Sequence, residues 1–151
     1  MMKLATVVAL GLACACCQPP GAKGVPLTSN TALVQLAADK AKEHNVPSSL
    51  AIALVTVESG WDAKTLSHGN YGLGQIRCGT AQSMGFKDNC QSLLIPSVNL
   101  EFSMRYLRAA LDLAHDDPCK ALMLYNRGID KPIPQRATAY CLRVLKARDN
   151  N

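Results

Sequence analysis

The segment that most restricts this fold is Leu50-Ala51-Ile52-Ala53-Leu54-Val55-Thr56-Val57, which is apolar on nearly every side. Pro47 and Ser48 stand before it, and Gly60 follows just after Glu58-Ser59. That punctuation predicts a helix with a glycine stop, with a strand over residues 52–57 as the competing reading. A helix without a polar face has no side to offer to water, so other elements must enclose it.

The rest of the chain supplies those elements. Asn30 or Thr31 caps a helix over residues 30–44, with Leu33, Leu36, Ala37 and Ala41 on one side and Asp39, Lys40, Lys42 and Glu43 on the other. Residues 61–72 read as loop, with Gly69-Asn70 as turn residues, and residues 80–84 as a short helix. Pro96 opens a long helix with two stripes. Leu100, Met104, Leu107, Leu111 and Ala114 form the inward one, and Glu101, Arg105, Arg108, Asp112 and His115 form a solvated face. Asp117-Pro118 starts a helix to about Asn126. After a turn over residues 128–134, the last helix is expected over residues 135–146, with Ala137, Tyr140, Cys141, Val144 and Leu145 inward. The pattern predicts one all-α domain of about six or seven helices with no convincing strand. Its 151 residues leave room for one domain, and a hydrophobic content of 48% is ordinary for a chain with a real core.

The N-terminus reads MMK followed by an apolar run over residues 4–13, a secretory signal too short to span a bilayer. Ala13-Cys14-Ala15 places cleavage after Ala15. This divides the chain into a signal peptide (1–15), a proline- and glycine-rich tether (16–29) and a folded domain (30–151). The expected location is periplasmic or secreted. Lipid attachment at Cys16 would make the protein an outer-membrane lipoprotein, but the segment before it lacks the leucine normally found three residues upstream of such a cysteine.

Cys78, Cys90, Cys119 and Cys141 are an even set in an exported chain, which points to two disulfides rather than a metal site. Of the three possible pairings, Cys78 with Cys90 and Cys119 with Cys141 close local loops, each contributing about 3 kcal/mol. His44, His68 and His115 fall on different elements without ligand spacing, so no metal role is expected. The net charge of +5 suits an anionic cell wall, while the absence of a long Lys/Arg run argues against nucleic acid.

A carboxyl that acts as a general acid must stay protonated near neutral pH. Glu58 is placed for it, since Leu54 and Val55 on the preceding turn desolvate it and the helix C-terminus disfavours its charge. From its helix alone it reads more readily as a surface residue in a last helical turn. Two later fragments change that reading: YGLGQI at residues 71–76 and ALMLYNRG at residues 121–128. Gly72 and Gly74 let backbone approach a neighbour closely, and Gln75 adds a donor and an acceptor, which suits the wall of a binding cleft. Tyr125 offers an apolar ring face and Asn126 an amide.

In this order, Glu58-Ser59, YGLGQI and ALMLYNRG resemble the catalytic domain of soluble-type lytic transglycosylases, lysozyme-like enzymes that cleave the glycan strands of peptidoglycan. The resemblance covers about residues 30–147 and implies a lysozyme-like all-α fold. It makes Glu58 the single acid/base and Ser59 a supporting residue, although a helix-end serine can equally be structural. It makes Tyr125 and Asn126 substrate contacts, against a core role for Tyr125. Tyr140, in AYCLRVL, matches a tyrosine whose hydroxyl reaches the catalytic glutamate, against a buried tyrosine with an unrelated partner. Many members carry methionine where Gly74 stands.

A hydrolase would place a second carboxylate across the bond. Asp62, Asp88 and Glu101 read instead as a cap, a turn residue and a solvated residue. The resemblance therefore implies cleavage of MurNAc-GlcNAc bonds with 1,6-anhydro ends and no metal or organic cofactor. The alternatives are a lysozyme-type muramidase and a non-catalytic wall-binding assembly protein. A small monomeric exported domain of this kind suits an envelope-spanning secretion, conjugation or phage apparatus.

Overall fold

The apolar segment folds as a helix, α2 (Ser48–Ser59), in the computed structural model, which describes residues 29–150. The expected signal peptide, and the tether up to residue 28, lie outside the described residues, as do Cys14, Cys16 and Cys17. Gly60 ends α2 in the left-handed conformation, φ 57° and ψ 30°, which glycine adopts without steric cost. Leu50, Ala51, Ala53, Leu54 and Val55 are buried. The enclosing elements are α1 (Ser29–Glu43) and α6 (Ala139–Asp149), both packed on α2.

Two further long helices complete the core. Pro96 opens α4 (Pro96–Leu113), whose Leu100, Met104, Leu107 and Leu111 are all buried as their spacing predicts. Asp117 accepts a hydrogen bond from Lys120 N at 3.0 Å and caps α5 (Pro118–Arg127). Helix α4 packs on α1 and α5, and α5 on α6. A short helix, α3 (Cys78–Ser83), and a single 3-10 turn (Cys90–Leu94) lie between α2 and α4. Disulfides join Cys78 to Cys90 and Cys119 to Cys141. The second ties the first turns of α5 and α6 together. No helix among the described residues is long and apolar enough to cross a membrane.

Three expectations need correction. The fold is not strand-free: β1 (Leu66–Ser67), β2 (Asn70–Tyr71) and β3 (Ile76–Arg77) form an antiparallel sheet in that order. Ser67 pairs with Asn70, so the first turn is His68-Gly69 rather than Gly69-Asn70, and φ is positive at both residues (53° and 78°). Such turns favour Asn or Asp before Gly, and a histidine there conceals the hairpin, as do strands too short to show alternation. The last helix starts at Ala139, where Thr138 Oγ1 accepts from Cys141 N at 3.3 Å. Gln135, Arg136 and Ala137 are exposed, so no burial favours helix there.

The third correction concerns Glu101, which is not simply solvated. Its carboxylate accepts from Lys40 Nζ at 3.0 Å and Arg105 Nε at 2.8 Å, and lies 3.1 Å from His44 Nε2, joining α1 to α4. His44 is therefore not isolated: it meets Glu43 and Glu101, and Lys40 donates to both carboxylates. Burial pushes the Glu101 carboxyl up, but the hydrogen bonds from Lys40, His44 and Arg105 outweigh it and hold it at about 2. Because the folded value lies below the ordinary 4.5, the stabilisation is fully present above pH 4.5 and is lost as pH falls toward 2. In urea titrations from neutral to acid pH, wild type should exceed Glu101→Gln in stability near neutrality, and the gap should close at the acid end. A gap that does not change with pH would count against the network.

Candidate active site

A cleft of about 410 Å³ opens where the end of α2, the β2–β3 hairpin and the end of α5 meet. Glu58, Gln75, Tyr125 and Asn126 all line it. Glu58 leaves the last turn of α2 above the buried Leu54 and Val55. Tyr140, from α6, donates its hydroxyl to Glu58 Oε1 across 82 positions of sequence. Burial pushes the Glu58 carboxyl above its ordinary range, and the Tyr140 hydrogen bond and the Arg143 cation offset only part of that. Arg143 lies over the Tyr140 ring, 5.6 Å from its centroid.

The YGLGQI fragment is the tip of the β2–β3 hairpin. Its close approach is to α4: a Cβ on Gly74 would lie 2.2 Å from Ser103 Oγ, and one on Gly72 would lie 2.6 Å from both Leu93 O and Asn99 Nδ2. Asn99 binds this backbone on both sides of its amide. Its Oδ1 accepts from Gly74 N at 2.7 Å, and its Nδ2 donates to Tyr71 O and Leu93 O, each at 2.7 Å. Tyr125 completes the clamp by donating to Gly74 O at 2.8 Å. Gln75, at φ 48°, donates its amide to Gly72 O (2.9 Å) and Thr65 O (3.1 Å), which leaves its side-chain oxygen as the acceptor without a hydrogen bond among the described residues.

Tyr125 is only 8% exposed, and its ring lies 5.2 Å from that of Tyr106. Burial, with the nearby Glu58 charge, pushes its hydroxyl far above the usual tyrosine range. It holds the hairpin and offers a ligand only the part of its ring that faces the cleft. Asn126 is exposed there. Ser59 turns its hydroxyl back on its own helix, donating to Val55 O at 3.3 Å, and does not line the cleft.

Among the weighed carboxylates, Asp62 accepts from Lys64 N at 2.9 Å within a turn, Asp88 is exposed, and Glu101 belongs to the α1–α4 network. The second carboxylate that does line the cleft is Asp130, which sequence reasoning passed over because it lies in the expected turn. It is exposed and paired with Lys131 at 2.8 Å. Asn99 and Ser103 were also missed, both fully buried. Their signal was two polar residues four apart beside the apolar stripe of α4.

The family model for the transglycosylase SLT domain matches residues 35–140. The chain belongs to that family. Two solved structures share its fold. The 70-kDa soluble lytic transglycosylase, in a complex with bulgecin A, aligns with 82% of this chain at 24% identity and a TM-score of 0.59. An inactive mutant of the lytic transglycosylase Slt from Pseudomonas aeruginosa aligns with 82% at 22% identity and a TM-score of 0.57. This SLT domain spans only 19% and 22% of those two chains. The lysozyme-like, mostly helical architecture expected from the sequence is therefore present, with the small sheet added.

Proposed function

We propose that this SLT domain is a peptidoglycan lytic transglycosylase that cleaves MurNAc-GlcNAc β-1,4 bonds with one acid/base, Glu58. The observation that carries the reading is a half-buried carboxyl, raised above its ordinary range and oriented by Tyr140, opening into a cleft. Glu58 gives its proton to the glycosidic oxygen as the bond to the muramoyl C1 breaks, while the substrate's own acetamido group stabilises the developing cation. The resulting carboxylate then takes the proton of the muramoyl C6 hydroxyl, and that oxygen closes on C1 as a 1,6-anhydro ring. Gln75 and Asn126 supply amides for sugar and N-acetyl groups, Tyr125 part of a ring face, and Ser59 support to the end of α2.

Asp130 favours a second reading, a lysozyme-type hydrolysis in which a second carboxylate guides water. Its exposure and its bond to Lys131 make it the weaker partner. Mass spectrometry of fragments released from purified peptidoglycan separates the two. Anhydromuramoyl ends, one water lighter, are expected; reducing ends would sink the transglycosylase reading and move attention to Asp130.

The proposal includes export, with a signal peptide over residues 1–15, a tether over 16–29 and the catalytic domain over 30–151. The two disulfides suit an oxidising compartment. It also includes monomeric action beside an envelope-spanning secretion, conjugation or phage apparatus.

Tyr140→Phe tests the acid directly. The lost hydroxyl is a donor that favours the charged carboxyl, so its removal should raise the Glu58 pKa further. The alkaline limb of the kcat/KM profile should move to higher pH, with a lower maximum because Glu58 is less well oriented. A limb that stays in place would mean that another group sets it.

A further inference from the structure

Two arginines line the same cleft as Glu58: Arg77 from β3 and Arg127 from the last position of α5. Neither has a carboxylate partner among the described residues. Arg77 Nε donates to Asn70 Oδ1 at 3.2 Å, which orients the guanidinium and leaves its terminal amino groups unspent. Arg127 forms no ion pair among the described residues and is exposed. Lys131, the third cation of the wall, is already bonded to Asp130 at 2.8 Å. The uncompensated charge of the cleft is therefore that of the two guanidiniums.

A guanidinium with free amino groups is shaped for a carboxylate, which it can bind with two parallel hydrogen bonds. The amino-sugar rings of a peptidoglycan strand are neutral. Its acid groups are carried on the lactyl arm at C3 of muramic acid, which ends in a free carboxylate or continues into a peptide stem bearing carboxylates. We infer that Arg77 and Arg127 form a carboxylate subsite for this lactyl arm, an inference that rests on reading the cleft as a peptidoglycan site. The subsite would distinguish muramic acid from its neighbour by charge, and so help to set which glycosidic bond meets Glu58.

The test uses the Glu58→Gln chain, so that binding is read without turnover. Its dissociation constant is measured by sedimentation with three wall preparations: intact peptidoglycan, peptidoglycan stripped of stems to expose the lactyl carboxylate, and stripped material whose carboxylates have been converted to amides. Arg77→Gln and Arg127→Gln should each weaken binding roughly three- to tenfold on carboxylate-bearing material, and leave the amidated form unchanged. Arg77→Lys and Arg127→Lys, which keep the charge but lose the two-pronged hydrogen bond, should recover only part of the affinity. Loss on intact wall alone assigns the stem carboxylates, and loss on stripped wall alone assigns the lactyl carboxylate. Loss on both shows that either source is accepted. Equal loss on all three forms, or loss on none, overturns the subsite. Absence of binding to every form overturns the subsite and the peptidoglycan reading together. Failure of the wild-type chain to release fragments, with carboxylate-dependent binding intact, would sink the enzymatic reading and leave the subsite standing.

Discussion

Glu58→Gln is expected to lower the release of soluble peptidoglycan fragments by about a thousandfold or more, within the range that a positioned general acid supplies. The amide matches the carboxyl in shape and can still accept from the Tyr140 hydroxyl, so the cleft should keep its form while losing its proton. Stability should move the other way. The folded-state pKa of Glu58 is raised, so ionisation costs the folded protein nothing below the unfolded-state value. The cost grows as pH rises from there through the folded value. Glu58→Gln never pays it. Thermal denaturation near and above neutral pH should therefore find the variant at least as stable as wild type, with the difference shrinking in acid. A variant that loses activity and also unfolds would indicate a structural role for Glu58. One that keeps activity within tenfold would place the acid elsewhere, and Asp130 would be the next carboxylate to replace.

The part of this site that was readable in the sequence is the part made by one stretch of chain. Leu50 to Val57 is apolar on nearly every side and Gly60 stops it, so α2 and its burial follow from local pattern and a single physical rule, whereas Glu58 taken by itself reads as a surface residue until the two later fragments are set beside it. Gly72 and Gly74 likewise announced a close approach, but not to what. The answer, Asn99 and Ser103, lies on α4, where a polar residue beside an apolar stripe looks like the edge of a wet face. Glu101 failed for the same reason. Periodicity identifies the face a residue is on, and Lys40 on α1 and His44 just past its end stand across from that face, some sixty positions away. The contact between Tyr140 and Glu58 was reached only through the family resemblance, because no local pattern links residues so far apart. Two-residue strands carry too little alternation to be seen, even though the hairpin they form carries Gln75 into the cleft.

Asn99→Leu should be the most damaging substitution after Glu58→Gln. Leucine has the same branched outline as asparagine with bulkier methyl tips, so the change removes hydrogen bonds and opens no space. Gly74 N, Tyr71 O and Leu93 O would each lose the partner that Asn99 now provides at 2.7 Å. A buried backbone group left unpaired costs about 1–3 kcal/mol, so Gly74 N and Leu93 O, the two buried ones, predict a loss of roughly 2–6 kcal/mol in urea denaturation, with the slope unchanged. Ser103→Ala, which removes the 3.3 Å bond to Asn99 Oδ1 and the hydrogen bond to the Tyr125 hydroxyl, should cost about 1–2 kcal/mol. The functional effect follows from where the three groups sit. Two of them belong to the hairpin tip, and without Asn99 the tip keeps, among the described residues, the buried Leu73 and one side-chain hydrogen bond from the helices, that of Tyr125 to Gly74 O. Gln75 would lose its fixed position, and kcat/KM on peptidoglycan should fall more than tenfold even where Asn99→Leu remains folded. A loss below 1 kcal/mol would mean that water or a shifted hairpin replaces the asparagine, and that the cleft wall stands without it.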